Sequence, residues 1–170
     1  MSSLLSIHRI YKNWEFFEET QRIMNLFIQT RSYEKNLAGS GRRFISHVKE
    51  FDKLREKAFS KFNLIPFSDE PVFGNFISNH YIDGAFVHPH KDPPDDKLVH
   101  TRVNVMIKKP MSGGMPVLDD VEYEVDERDI WLCIAGREMH YSTPAIGERL
   151  TVSFGALILK EMIDKITHQF

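Results

Sequence analysis

Apolar residues in the first third of the chain recur at helical spacing. Over residues 14–30, Phe17, Met24 and Ile28 share one face and Phe16, Ile23 and Phe27 flank it. Intervals of three, four and seven put such side chains on one side of a helix. Asn13 stands where an N-cap would, and Glu15, Glu18 and Glu19 follow it at the positive end of the helix dipole. Gly39-Ser40-Gly41 interrupts the pattern. A second helix is predicted over 42–62, with Phe44, Val48, Phe51, Ala58 and Phe62 as its apolar stripe. The Arg and Lys residues of that segment are interleaved with Glu50, Asp52 and Glu56, as on a solvated helix face.

Past Ile65-Pro66 the period shortens to two. Strands are predicted at 72–82, 102–108, 115–118, 121–125, 129–134 and 150–159. Val103, Val105 and Ile107 point one way, and Val152, Phe154 and Ala156 alternate with Thr151, Ser153 and Gly155. Gly113-Gly114, Asp119-Asp120 and Gly147 supply turns. Short strands at this spacing predict a sandwich or jelly roll with the N-terminal helices on one outer face. The expected class is α+β, mainly β: one domain, with residues 1–65 as helical support and 66–160 as the jelly-roll core.

Composition narrows the function. A chain of 170 residues can bury a sufficient core as one domain. Its formal net charge of -2 disfavours a nucleic-acid binder held by bulk charge. A single cysteine, Cys133, excludes an intramolecular disulfide and suggests a reducing compartment. No apolar stretch has the length of a bilayer span, and residues 1–10 lack the apolar run of a signal peptide. The expectation is a cytoplasmic protein with no membrane partner. Cys133 and Trp131 are expected in the core.

The residues that can do chemistry lie in the β region. His90 and Asp92 are two apart, so on an extended chain an imidazole and a carboxylate face the same side. His140, just after the run around Ile130 and the Ala135-Gly136 turn, is the candidate third ligand. Two histidines and one carboxylate leave positions open on a six-coordinate metal, the ligand set of non-haem iron(II) oxygenases. Zinc accepts the same set, so the ligands alone do not choose. Arg149 and Thr151 share a strand face, where a guanidinium beside a hydroxyl suits a carboxylate.

The order His90-x-Asp92, Gly113-Gly114, then His140-Tyr-Ser-Thr-Pro144-Ala-Ile-Gly147-Glu-Arg149-Leu-Thr151 resembles the 2-oxoglutarate- and iron(II)-dependent dioxygenase superfamily. The resemblance covers about the last two-thirds of the chain and implies a double-stranded β-helix. It implies that His90, Asp92 and His140 bind Fe(II), and that Arg149 with Thr151 holds the far carboxylate of 2-oxoglutarate. Tyr81 and Asn104 fall at positions that line the co-substrate pocket in that family. Residues 6–13 are similar to its first strand. The implied reaction consumes O2 and 2-oxoglutarate and hydroxylates an unactivated C–H bond. Asp92 itself favours hydroxylation over halogenation, since related halogenases carry a small residue there.

A second reading stays open. His88 and His90, with Asp95 and His140, would make a cupin-like metal site, as a binding protein or isomerase. That reading leaves Arg149 and Thr151 without a role. For the substrate, a small molecule such as an amino acid or natural-product intermediate is expected ahead of a peptide or protein side chain, with nucleic acid last. The short stretch after residue 159 suggests no large C-terminal lid, leaving the substrate wall to the N-terminal helices, the 83–86 turn and the 91–100 loop.

Overall fold

The computed structural model describes residues 8–34 and 39–167. The elements run β1 (Ile10–Tyr11), α1 (Phe17–Thr30), β2 (Arg42–Ile45), a 3-10 turn (Lys49–Phe51), α2 (Asp52–Lys61), β3 (Ser68–Asp69), β4 (Phe76–His80) and β5 (Leu98–Lys108). There follow β6 (Ser112–Gly113), β7 (Pro116–Leu118), β8 (Val121–Glu122), β9 (Ile130–Cys133), β10 (His140–Ser142), β11 (Ala145–Ile146), β12 (Arg149–Leu159) and α3 (Lys160–Thr167).

One large antiparallel sheet has the order β1-β9-β5-β12-β4-β2, with β3 also paired to β12. The smaller layer is made of β10-β7-β8 and β11-β6. Isolated bridges, Ala85 to Ala145 and His90 to His140, stitch the 85–90 segment onto β11 and β10. Two antiparallel layers wound this way form a double-stranded β-helix with helices on one outer side, the architecture the sequence predicts.

Alternation along the two longest strands builds the division of labour. Val103, Val105, Val152, Phe154 and Ala156 are fully buried in one apolar cluster with Phe51, Leu54, Phe59 and Phe62 beneath the helices. Each Val, Leu or Phe among them contributes about 1.5–3 kcal/mol through its removal from water. Side chains of opposite parity, Arg102, Asn104, Thr151 and Ser153, point to the other face, between the two layers.

The N-terminal part departs from expectation in one place. The predicted helix over 42–62 is a strand, a 3-10 turn and a shorter helix. Arg42–Ile45 pairs with β4, Arg42 opposite His80 and Phe44 opposite Ser78. His47 then takes a positive φ of 54°, which no helix accommodates. The stripe misled because Phe44, Val48, Phe51, Ala58 and Phe62 are all buried, as a helical face would be. Pairing at the edge of an existing sheet satisfied four residues' backbone groups and overrode the local period.

Smaller differences follow the same lines. α1 begins at Phe17 rather than 14, and no side chain caps it. Asn13 instead occupies the left-handed region, at φ 54°. The run from 72 pairs only over β4. Residues 160–167 form α3, whose Ile163 and Ile166 join the same core. The resemblance of residues 6–13 to a first strand is met at Ile10–Tyr11, and Ser6 and Ile7 lie outside the described residues. Cys133 and Trp131 are buried. Among the described residues no helix is long and apolar enough to cross a membrane.

Candidate active site

Between the two layers lies a cavity of about 340 Å³. The large sheet contributes Phe76, Ser78, Asn104 and Thr151, and the small layer Leu118 and His140.

His90, Asp92 and His140 converge at one end of it. Each offers a ligand atom within 4.8 Å of the others. His90 and His140 are placed by mutual backbone bonds, His90 N–H to His140 O at 3.1 Å and His140 N–H to His90 O at 2.9 Å. The Asp92 N–H donates to Ala135 O at 2.8 Å, which fixes the third ligand to the turn before His140. Asp92 Oδ1 lies 3.5 Å from His90 Nε2 and 3.6 Å from His140 Nε2.

Both imidazoles are oriented from behind. His90 Nδ1 lies 2.6 Å from His88 O, and His140 Nδ1 lies 3.0 Å from Glu138 O. A carbonyl only accepts, so each Nδ1 carries the proton and each Nε2 presents its lone pair to the site. The facing Asp92 carboxylate raises the pKa of His90, and burial lowers that of His140. Burial alone would raise the Asp92 carboxyl, but His90 and the Arg102 guanidinium hold it down to about 2. Asp92 is thus ionised at any working pH.

Arg102 is a residue the sequence reading passed over. Its Nε lies 3.6 Å from Asp92 Oδ2, and its Nη2 donates to Glu70 Oε2 at 2.8 Å. Glu70 is itself 1% exposed and accepts the N–H groups of Val72, Phe73 and Gly74. His100 Nδ1 stands 3.0 Å from its other oxygen. A buried acid thus anchors the arginine that steadies Asp92. The signal was available: Arg102 has the parity of Asn104 on β5, opposite to Val103 and Val105.

The far end of the cavity holds Arg149 and Thr151. Arg149 is 4% exposed, and its Nε donates to Gly114 O at 2.6 Å. Gly114 has φ +70°, and a Cβ there would lie 2.9 Å from Arg149 Cδ, which accounts for glycine at this position. The register between β12 and β5 shifts between Leu150 and Thr151, a local irregularity of the kind that re-aims side chains beside sites. Burial pushes the Arg149 pKa down to about 9, so it stays protonated.

Asn104 lines the cavity, while Tyr81 does not appear in its wall. Tyr81 is 45% exposed and its ring lies under the Arg43 guanidinium, 5.0 Å away. His88 lines the mouth, edge-on to Phe86 at 4.5 Å, outside the group of converging ligand atoms. Asp95 accepts the N–H groups of Lys97 and Leu98 instead of facing the site.

Two further wall residues, Arg42 and Ser78, and a buried neighbour, His80, were not foreseen. Arg42, on the unexpected strand β2, donates from Nε to Ser78 Oγ at 2.8 Å. Beside them His80 is fully buried, in register with Arg42 on one side and Arg149 on the other. Burial and those two cations push its pKa down to about 2, so it is neutral.

No protein-family model matches the sequence, and no curated protein matches it. Solved structures do. A Pseudomonas putida prolyl-4-hydroxylase superposes with TM-score 0.60 at 16% identity, covering 88% of this chain and 90% of that one. A Trichoplax adhaerens prolyl hydroxylase, in complex with a hypoxia-inducible-factor peptide, gives 0.62 at 14% identity, covering 95% and 86%. HygX from Streptomyces hygroscopicus, with nickel and 2-oxoglutarate bound, gives 0.61 at 10% identity, covering 86% and 80%. The chain has the fold of the 2-oxoglutarate-dependent oxygenases. Identities this low speak for the fold, and the chemistry has to be argued from the site.

Proposed function

We propose that the protein is an Fe(II)- and 2-oxoglutarate-dependent oxygenase that hydroxylates a small molecule. The observation that carries this reading is the pairing, within one cavity, of a three-ligand metal site and a buried arginine at the other end. The donor set fits the metal: two Nε2 lone pairs and one ionised carboxylate, leaving positions open for a chelating ligand. Zinc hydrolysis would use the same ligands but gives Arg149 and Thr151 no task. The cupin-like alternative would need His88 among the ligands, and His88 faces Phe86 at the mouth.

Bound Fe(II) with 2-oxoglutarate and O2 supplies the oxidising power for a C–H bond. The chain's own residues do the rest. His90, Asp92 and His140 hold the ion, and Arg102 keeps Asp92 in place. Arg149 and Thr151 grip the far carboxylate of 2-oxoglutarate, fixing the keto acid in one pose. Phe76, Phe86 and Trp131 keep water from the reacting centre. A cavity of about 340 Å³ that opens at the His88 side suits a small substrate beside the co-substrate. Structural relatives include enzymes acting on peptides, so the substrate class is decided by assay.

Anaerobic addition of Fe(II) and then 2-oxoglutarate is the direct test. A visible charge-transfer band requiring both additions is expected, and metal binding without that band would overturn the reading. Succinate release over a panel of amino acids and of proline-containing peptides then separates the two substrate classes.

A further inference from the structure

We propose that His100 is a positioning residue for the metal centre: through Glu70 and Arg102 it holds Asp92 with one carboxylate oxygen toward the metal ligands and the other turned away. The proposal rests on the metal site of the oxygenase reading and adds the buried side chains that set it.

Strand parity brings the members together. His100 and Arg102 are two apart on β5, so they share a face. Glu70, in the turn before β4, lies between them, with Oε1 3.0 Å from His100 Nδ1 and Oε2 2.8 Å from Arg102 Nη2. The His100 contact is off the line of a strong hydrogen bond, so the imidazole acts on the carboxylate as a close dipole and a packing wall. Burial would raise the Glu70 carboxyl, but Arg102 and the N–H groups of Val72, Phe73 and Gly74 hold it below its ordinary value, so it is ionised. Arg102 then reaches Asp92, with Nε 3.6 Å from Oδ2. Asp92 Oδ1 faces His90 Nε2 and His140 Nε2 instead. One oxygen is thus offered to the ion and the other is kept on Arg102, which leaves a further metal position open.

The main chain closes the same circuit. His100 O accepts the Gly136 N–H at 2.8 Å, and the neighbouring Ala135 O accepts the Asp92 N–H at 2.8 Å. Asp92 is therefore tied to the His100 position twice, through its carboxylate and through its backbone.

Gly155 is accounted for by the same cluster. It pairs with Arg102 across β12 and β5. A Cβ there would lie 2.6 Å from Gly74 O and 2.7 Å from Arg102 Nη1, so no side chain fits while the cluster keeps its place. Position 155 is a handle on Arg102 that carries no charge.

The test uses the full chain, with Mn(II) for affinity and Co(II) for geometry, since the visible Co(II) spectrum reports coordination number. H100L should weaken Mn(II) binding about tenfold, the lower end of what loss of an outer partner costs, and should shift the Co(II) spectrum. H100N keeps an N–H donor toward Glu70 and should stay within about threefold of the wild type. G155A, with every charged group present, should change affinity and spectrum in the same direction as H100L. Urea midpoints check folding, and H100M takes the place of H100L if the latter does not fold. Folded H100L with affinity and spectrum unchanged, or H100N as weak as H100L, would overturn the role of His100. An unaltered G155A would overturn the hold of the cluster on Asp92. The charge-transfer band with 2-oxoglutarate is a separate readout: its absence in the wild type removes the oxygenase reading, while the Mn(II) and Co(II) results still decide the role of His100.

Discussion

The two faces of the large sheet are made by the same strands and obey opposite rules. On the helix side, alternate residues of β5 and β12 are Val, Ile, Leu, Phe and Ala, and the hydroxyl of Thr101 among them is satisfied by Val99 O on its own strand. On the cavity side, the residues between them are Arg102, Asn104, Arg149, Thr151 and Ser153. The first face is stabilised by burial of apolar area and tolerates any well-packed hydrophobe. The second holds charges that each depend on a specific neighbour: Arg102 on Glu70, Asp92 on Arg102, Arg149 on Gly114. One face carries stability, and the other carries the charged side chains that the proposed binding requires, at some cost to stability.

The largest expected effect lies on the apolar face. Phe154→Ala should lower unfolding free energy by about 3–5 kcal/mol by leaving a cavity against Phe51. Denaturant unfolding measures this, and the folded fraction should still bind metal. A loss below about 1 kcal/mol would mean that the helix-side core does not carry stability.

Next comes the charged seam that joins the faces. Arg102→Met leaves Glu70 buried without its guanidinium partner and should cost about 3 kcal/mol. It should also weaken metal affinity about ten- to hundredfold, because Asp92 loses its support. Unchanged metal affinity in a folded R102M would break the proposed link.

Arg149→Ala isolates the binding face. It should raise the 2-oxoglutarate dissociation constant about ten- to hundredfold with metal affinity largely intact. The reverse pattern would remove Arg149 from the clamp.

His80 links the two faces through pH. Its pKa in the folded protein is depressed to about 2, below the unfolded value of 6.5. Its contribution to stability is therefore full above about pH 6.5 and is lost as pH falls toward 2. Below pH 6.5 this costs up to about 1.4 kcal/mol per pH unit. His80→Asn should flatten the stability profile between pH 6.5 and 5, and an unchanged slope would show that His80 does not stay neutral.

The smallest effect is expected at the rim. Tyr81→Phe should leave 2-oxoglutarate affinity within about twofold, since the ring packs on Arg43 outside the cavity wall. A tenfold loss would show that the ring turns inward when the co-substrate binds.

The sequence by itself determined what depends on local order. Period-two alternation placed Val103, Val105, Val152 and Phe154 in the core, because strand geometry sends alternate side chains to opposite faces whatever the partner strand. The spacing of His90 and Asp92 made them a pair for the same reason, and the motif from His140 to Thr151 carried the fold. Tertiary structure decided what depends on strands far apart in the chain. The helical period over 42–62 concealed β2, because burial of Phe44 and Val48 is satisfied equally by a sheet edge. With β2 hidden, Arg42 had no visible neighbour. Glu70 and Arg102 meet only because the turn before β4 folds over β5, and His80 is neutral because the fold buries it and pairing sets it between two arginines. Charge interactions are set by distance in space rather than by position in the chain, so these residues became legible only in the folded molecule.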